Sequence, residues 1–144
     1  MPTFAGPLAS PGYWLHHAAL RWRAQLETEL RPLGLTTTQF IMLASIGWLE
    51  HEGLRPSQQQ AADVAGSDRM MASRVVRSLE GAGLVRRTPD AQDARTVRLA
   101  LTTQGQTTGN RAASLARAVD RGVFGELRDT WASALRELGH SSDQ

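Results

Sequence analysis

The sequence predicts a mainly α-helical protein with one small β-hairpin. Three observations predict this fold class. Apolar residues recur at spacings of three and four over most of the chain, two segments begin with a capping-box pattern, and large apolar residues occupy every second position over residues 97–101. A length of 144 residues fits one domain, or one domain with an extension for dimerisation.

The first predicted element is an amphipathic helix near the N-terminus. Ser10 followed by Pro11 has the pattern of an N-cap with proline at the first helical position. The helix is expected to end near residues 32–34, which include a proline and a glycine. Its apolar stripe comprises Leu15, Ala19, Trp22, Leu26 and Leu30.

A second helix is predicted to begin after Thr36, which forms a capping-box pattern with Gln39, and to end by Gly53. We expect one face of this helix to enter the core. The residues of that face are Phe40, Leu43, Ala44, Gly47 and Trp48.

A third, short helix begins with another capping-box pattern, formed by Ser57 and Gln60. A tight turn leads from it to a fourth helix, which Ser67 or Asp68 can cap and which ends at the glycines after residue 80. The inward residues predicted for the third helix are Ala61, Val64 and Ala65. Those predicted for the fourth are Met71, Ala72, Val75, Val76 and Leu79.

Two short helices about three residues apart form the helix-turn-helix arrangement, in which the second helix enters the major groove of DNA. The residues left on the outer face of the fourth helix are Arg69, Met70, Ser73, Arg74 and Arg77. The three guanidiniums can each donate two hydrogen bonds to guanine or to phosphate. We therefore take this face, with all five of its residues, as a candidate DNA contact. An ordinary solvated helix face is the alternative interpretation.

A β-hairpin is predicted directly after the fourth helix. Residues 84–87 form its first strand, residues 89–94 a polar turn, and the alternating residues 97–101 its second strand. Arg95, near the tip, could enter a minor groove, and Asp93 could pair with it and hold its guanidinium. The alternative is an exposed loop ion pair, worth only ~0–1 kcal/mol.

The positive charge is concentrated in this same central segment. Residues 55–99 contain eight arginines and five acidic residues, an excess of three positive charges, whereas the whole chain has a formal net charge of +2. A polyanion such as double-stranded DNA would therefore bind at the centre of the sequence.

The C-terminal segment predicts two further amphipathic helices. One follows Thr103 or Thr108 and carries the stripe Leu115, Ala116, Val119 and Val123; the last carries Leu127, Trp131, Leu135 and Leu138. A winged-helix core of roughly 65 residues is too small to cover these faces, so we expect a homodimer. A compact monomer with a helical cap is the alternative.

From Leu35 to Gly105 the sequence resembles the MarR family of winged helix-turn-helix regulators. The resemblance runs through residues 35–40, 61–66 and 73–85, and its most specific part is Asp93-Ala94-Arg95 followed by Leu101-Thr102 and Gly105. It implies a dimer built from the terminal helices, Arg95 in the minor groove, and a recognition helix that reads a pseudo-palindromic operator.

One departure from the family pattern lies in the turn before the fourth helix. Met70 and Met71 stand where the family more often has small hydroxyl residues, so a base preference cannot be carried over. We expect Met71 to fill core space, and Met70 could contact a thymine methyl group.

The expected domain organisation has three parts. Residues 1–34 form an N-terminal dimerisation helix, residues 35–102 the winged helix-turn-helix DNA-binding core, and residues 103–144 the C-terminal dimerisation helices. The predicted function is a sequence-specific transcriptional regulator, a ligand-responsive repressor that binds its operator as a dimer. The alternative is a winged-helix protein-interaction module without specific DNA binding.

The resemblance implies a small aromatic or phenolic effector, bound between the dimerisation helices and the winged helix. Candidate wall residues are Trp14, His17, Arg21, Trp22 and Trp48. Trp22 and Trp48 also lie on apolar stripes, which favours a place in the core for each.

Several other classes of protein are not expected. The chain has no cysteine, so thiol-based sensing is excluded, and its four histidines form no ligand-spaced pair for a metal. No enzyme signature or cofactor motif is present. The absence of a long apolar run and of a secretory pattern at the N-terminus predicts a cytoplasmic protein without a membrane segment.

Overall fold

A computed structural model describes residues 6–140 and confirms the predicted fold class. The chain forms the elements α1 (Pro11–Leu30), α2 (Thr37–His51), α3 (Gln58–Ala65), α4 (Arg69–Gly81), β1 (Val85–Pro89), β2 (Val97–Leu101), α5 (Thr103–Phe124) and α6 (Arg128–His140). The strands pair antiparallel, so the segment from α3 to β2 is a winged helix-turn-helix. We call β1, β2 and the loop of residues 90–96 between them the wing.

Local hydrogen bonds start the helices where the sequence predicts. Both capping boxes form, because the hydroxyls of Thr36 and Ser57 each accept the backbone N–H of the glutamine three residues later, and each glutamine side chain accepts in return. Of the two candidate caps of α4, Asp68 is the one used: its carboxylate accepts a backbone N–H from the first turn at 2.8 Å.

Contacts divide the chain into two units. Residues 30–114 form one, which we call the winged-helix unit; the segments up to residue 29 and from residue 115 form the other, the terminal unit. Helix α5 contributes residues to both units.

The centre of the winged-helix unit is α2, which contacts α3, α4 and β2. Because partners surround the helix, the single buried face predicted for it is partly wrong: Phe40 and Leu43 are buried, but Ala44 and Trp48 are exposed. Further residues of α2 are buried that the apolar stripe does not predict, namely Thr37, Met42, Ser45, Ile46 and Leu49.

Two predictions about buried residues of α3 and α4 are also wrong. In α3, Ala61 and Ala62 are buried, Ala65 is half-buried and Val64 is exposed, because the short helix packs through adjacent alanines on one side. In α4, Met71 in the first turn is exposed instead of filling core space. The other predicted core residues of α4 are buried: Ala72, Val75, Val76 and Leu79.

The wing is attached to the beginning of α3. Leu99 is buried, and its backbone N–H donates to the carbonyl of Pro56 at 2.8 Å. An additional antiparallel bridge joins Ser57 to Arg98 of β2. The segment that leads into α3 therefore lies along the free edge of β2 and holds the base of the wing.

In the terminal unit, a hydrogen bond joins α1 to α5: the indole N–H of Trp22 donates to the carboxylate of Asp120 at 2.8 Å. The predicted stripes of this unit are buried only in part. Leu26, Ala116 and Val119 are buried, whereas Leu15 and Ala19 are exposed and α6 has no buried residue.

The start of α5 is closely packed on the residues that lead into β1. Thr102 donates its hydroxyl proton to the carbonyl of Gly83 at 2.6 Å and accepts the N–H of Gly105 at 2.9 Å, which caps the helix. A Cβ atom added to Gly105 would lie 1.9 Å from the carbonyl oxygen of Leu84. Only glycine fits this approach of helix to strand.

We predict that Gly105→Ala lowers the free energy of unfolding by about 1–3 kcal/mol, because backbone must move to admit the methyl group. The matched control is Gly109→Ala in the same helix, where the new Cβ would lie at an ordinary 3.6 Å from Leu43. That variant should be neutral or up to roughly 1 kcal/mol more stable, since alanine favours helix. Denaturant unfolding of both variants tests the contrast, and equal stabilities would refute the close packing.

Candidate nucleic-acid interface

Helix α4 turns a basic face outwards. Arg69, Arg74 and Arg77 are exposed, Met70 is 75% exposed, and Ser73 is half-buried. Within residues 6–140, none of the three guanidiniums forms an ion pair or a side-chain hydrogen bond. The three positive charges are therefore free to interact with an anion from outside the chain.

The wing tip presents one further arginine. The side chain of Arg95 is 95% exposed, and its Nε lies 3.6 Å from the carboxylate of Asp93, so the predicted pair is formed. The same carboxylate accepts the backbone N–H of Arg95 at 3.0 Å. Asp93 thus holds both the backbone and the side chain at the tip.

A cleft of about 260 Å³ lies between α3, α4 and the wing. Its walls include Ser57, Gln58, Gln59, Arg69, Arg95 and Thr96. The tertiary structure therefore brings Arg69 at the start of α4 and Arg95 at the wing tip to the same concave surface, although 25 residues separate them in the sequence.

Helix α3 also contributes to this surface, which its sequence does not indicate. Ser57, Gln58 and Gln59 form the cap and first turn of that helix, where backbone N–H groups lack partners within the helix. The capping box is visible in the sequence, but by itself it predicts only the start of a helix. The position of the first turn of α3 beside the wing depends on the pairing of β2 with the segment before α3.

Two other arginines of the basic segment are engaged within the unit. Arg87 lies 3.8 Å from Glu80, and Arg98 lies 3.4 Å from Asp90. Partial burial by itself would raise the pKa of Asp90, but the hydrogen bond and charge of Arg98, with backbone N–H groups of the wing loop, lower it below the ordinary 3.8. Asp90 is therefore a carboxylate at neutral pH and keeps its partner.

The five candidate effector residues lie in different parts of the chain. Trp14, His17, Arg21 and Trp22 belong to α1 in the terminal unit, and Trp48 belongs to α2 in the winged-helix unit. The core position favoured for Trp48 is wrong, because its side chain is 54% exposed.

The four candidates on α1 differ in their surroundings. The exposed Trp14 donates its indole N–H to the carbonyl of Leu8 at 2.8 Å, and the ring of His17 lies 4.5 Å from that of Tyr13. Arg21 is exposed. Trp22 is half-buried, and its N–H is already bonded to Asp120.

Residues 6–140 contain no group of three acidic or histidine side chains placed to hold a metal ion. In the same part of the chain, no helix combines the length and apolar character that a membrane crossing needs.

Comparisons with known proteins agree on one family. A family model described as the MarR family matches residues 35–97. The uncharacterised HTH-type transcriptional regulator YdcH of Bacillus subtilis (strain 168) is 32% identical over 137 residues, which cover 94% of this chain and 93% of YdcH.

Solved structures of similar fold include regulators bound to DNA or to ligands. The transcriptional repressor CouR, bound to a 23-mer DNA duplex, is 27% identical with a TM-score of 0.77, and the match covers 96% of each chain. BpsR of Bordetella bronchiseptica, whose DNA binding is regulated by 6-hydroxynicotinic acid, has a TM-score of 0.83. The match to BpsR has 21% identity over 98% of this chain and 99% of BpsR, so it shows the fold alone.

Proposed function

The chain belongs to the MarR family of DNA-binding transcriptional regulators, and we propose that it acts as a dimeric repressor of a pseudo-palindromic operator. In this proposal α4 enters the major groove and the wing contacts the adjacent minor groove. The observation that carries it is the cleft in which Arg69 of α4 and Arg95 of the wing share one surface, beside two further unpaired arginines of α4.

The contacts divide by chemistry. Arg74 and Arg77, on the exposed face of α4, are proposed to read guanine edges or bind phosphate, and Met70 to contact thymine methyl groups. Arg69 and Ser73 complete this surface. Arg95, oriented by Asp93, is proposed to enter the minor groove, where narrowing strengthens the negative potential.

A dimer is supported by the apolar surface of the terminal unit. Its large exposed apolar side chains include Leu15, Leu20, Leu127, Trp131 and Leu138, and α6 has no buried residue. Isolated exposed apolar residues are ordinary, but a whole amphipathic helix without a covered face indicates a partner surface. A second copy of the chain would cover it and would place two recognition helices on two half-sites.

The effector is proposed to be a small aromatic compound. CouR from Rhodococcus jostii RHA1 has been solved with p-coumaroyl-CoA, and the DNA binding of BpsR responds to 6-hydroxynicotinic acid. In this chain the rings of Trp14 and Trp22 on α1 are proposed to stack on such a compound, and His17 and Arg21 of the same helix to bind an acidic group on it. Trp48 of α2 stays a separate candidate wall residue.

We propose that the protein regulates genes by binding DNA and that it is not an enzyme. A protein that represses genes on the chromosome would act in the cytoplasm. The alternative of a protein-interaction module is not favoured, since the repressor CouR is bound to a DNA duplex.

The dimer can be tested with Leu138→Glu. This side chain is 70% exposed in the single chain, so a charge there should leave the protomer folded and yet disrupt an apolar interface. We expect wild type to sediment as a dimer at micromolar concentration and the variant to shift towards monomer. Ser133→Glu, about 200° round the helix from Trp131, should remain dimeric. A monomeric wild type would refute the dimer.

Sequence reading by α4 can be tested with Arg74→Ala and Arg77→Ala. Loss of a bidentate contact to guanine should cost about 1–3 kcal/mol of binding and relax preference at one position in each half-site. Binding should be measured on the operator and on a random duplex, with Arg111→Ala, an exposed arginine of α5, as the charge control. Equal losses on both duplexes would assign the residue to phosphate contact.

The role of the wing can be tested with Arg95→Ala. Because the side chain is 95% exposed, the free energy of unfolding should change by no more than about 0.5 kcal/mol. Binding should weaken, most of all on operators with A·T-rich flanks, and the dependence of affinity on salt should become less steep. If the variant binds A·T-rich and G·C-rich operators as wild type does, the wing is structural only.

A further inference from the structure

A continuous series of polar contacts runs from the beginning of α3 to the wing tip. It begins at Arg98 of β2, whose Nη1 donates to the backbone carbonyl of Arg55 at 3.0 Å. On the wing side, the Nε of the same guanidinium donates to Oδ1 of Asp90 at 3.4 Å. Arg98 therefore links the first residue of the wing loop to the segment that leads into α3.

Asp90 connects Arg98 to the backbone of the wing loop. Its second carboxylate oxygen accepts the backbone N–H of Asp93 at 3.3 Å, and its own N–H donates to the carbonyl of Thr96 at 2.8 Å. These contacts close the loop at its base and fix the backbone at Asp93. The carboxylate of Asp93 then holds Arg95 through the two contacts described above.

We propose that Arg98 and Asp90 are positioning residues for Arg95, which set where the wing-tip guanidinium meets the minor groove. The inference rests on the proposed function, because it gives Arg98 a role through Arg95 and not through its own contact with DNA. An exposed loop of seven residues would otherwise sample many conformations, and ordering it on the DNA would oppose binding.

The surroundings of Arg98 favour positioning over direct contact with phosphate. Its side chain is 33% exposed, against 95% for Arg95, and its guanidinium already has two acceptors. The carboxylate of Asp90 also neutralises its charge. An arginine suits this position, because its planar group donates in two directions at once, which a lysine ammonium on a flexible stem does less well.

The decisive variant is Asp90→Asn, for which positioning and simple electrostatics predict opposite results. The substitution removes one negative charge from the wing, so a purely electrostatic role predicts tighter binding to DNA. Loss of the Arg98 link predicts weaker binding, by at least about twofold on A·T-rich flanks, the lower end of the coupling between residues in contact. Asp63→Asn, at an exposed residue of α3, is the matched charge control. This variant should bind DNA at least as tightly as wild type.

A double-mutant cycle tests whether the effect passes through Arg95. Arg98→Gln should weaken binding on A·T-rich flanks in the wild-type background and should have no further effect in the Arg95→Ala background. In the wild-type background, Arg98→Gln should also reduce the preference of the protein for A·T-rich over G·C-rich flanks. A general loss of stability would not produce that change. Thermal melting of each variant confirms that the measured protein is folded.

The outcomes separate the inference from the function on which it rests. The inference is supported if Asp90→Asn weakens binding and the cycle is non-additive. It is overturned, with the proposed function intact, if Arg95→Ala weakens binding but Asp90→Asn binds as tightly as wild type or more tightly. Additive losses in the cycle would overturn it too, by making Arg98 a contact in its own right. If Arg95→Ala has no effect, the role of the wing and the inference fail together.

Discussion

The burial of α2 is the constraint on which the winged-helix unit depends. This helix packs against α3, α4 and β2, and its buried residues point in several directions. Because the apolar stripe of α4 must face α2, the arginines of α4 are left on the opposite side, in contact with solvent. The basic face is thus a consequence of how the core is filled, and it costs little because each guanidinium stays hydrated.

The wing combines a fixed base with an exposed tip. A two-stranded hairpin alone is marginally stable in water, but here Leu99 enters the core and its N–H bonds to Pro56. Thr102 and Gly105 hold the start of α5 at close range to Gly83 and Leu84, directly before β1. The tip is free of such packing, so polar contacts around Asp90 and Asp93 are what organise it.

The terminal unit is organised differently, because much of its apolar surface is not covered within one chain. Trp22 and Asp120 connect α1 to α5, while α6 buries no residue. If a second copy covers these faces, the order of the terminal helices is linked to assembly by mass action. A ligand bound among the aromatic residues of α1 would then act on the same equilibrium that holds the dimer together.

How much the sequence determined depends on the range of the interactions involved. The starts of α2 and α3 and the hairpin follow from contacts within a few residues, such as Thr36 with Gln39, and these were predicted correctly. The basic segment and the pair of Asp93 with Arg95 are also local, and the sequence alone was enough to select them. Their contact with DNA remains a prediction.

The tertiary structure decided which residues are covered and which distant residues meet. Ile46 is buried and Trp48 exposed on the same helix, and Val64 is exposed where Ala62 is buried, because the positions of neighbouring elements determine which side is covered. The link from Arg98 to Arg55 spans 43 residues. In the sequence, Arg98 occupies an outward position of an alternating strand and looks solvated. Only the pairing of β2 with the segment before α3 brings the carbonyl of Arg55 to it, and no local pattern encodes that long-range approach.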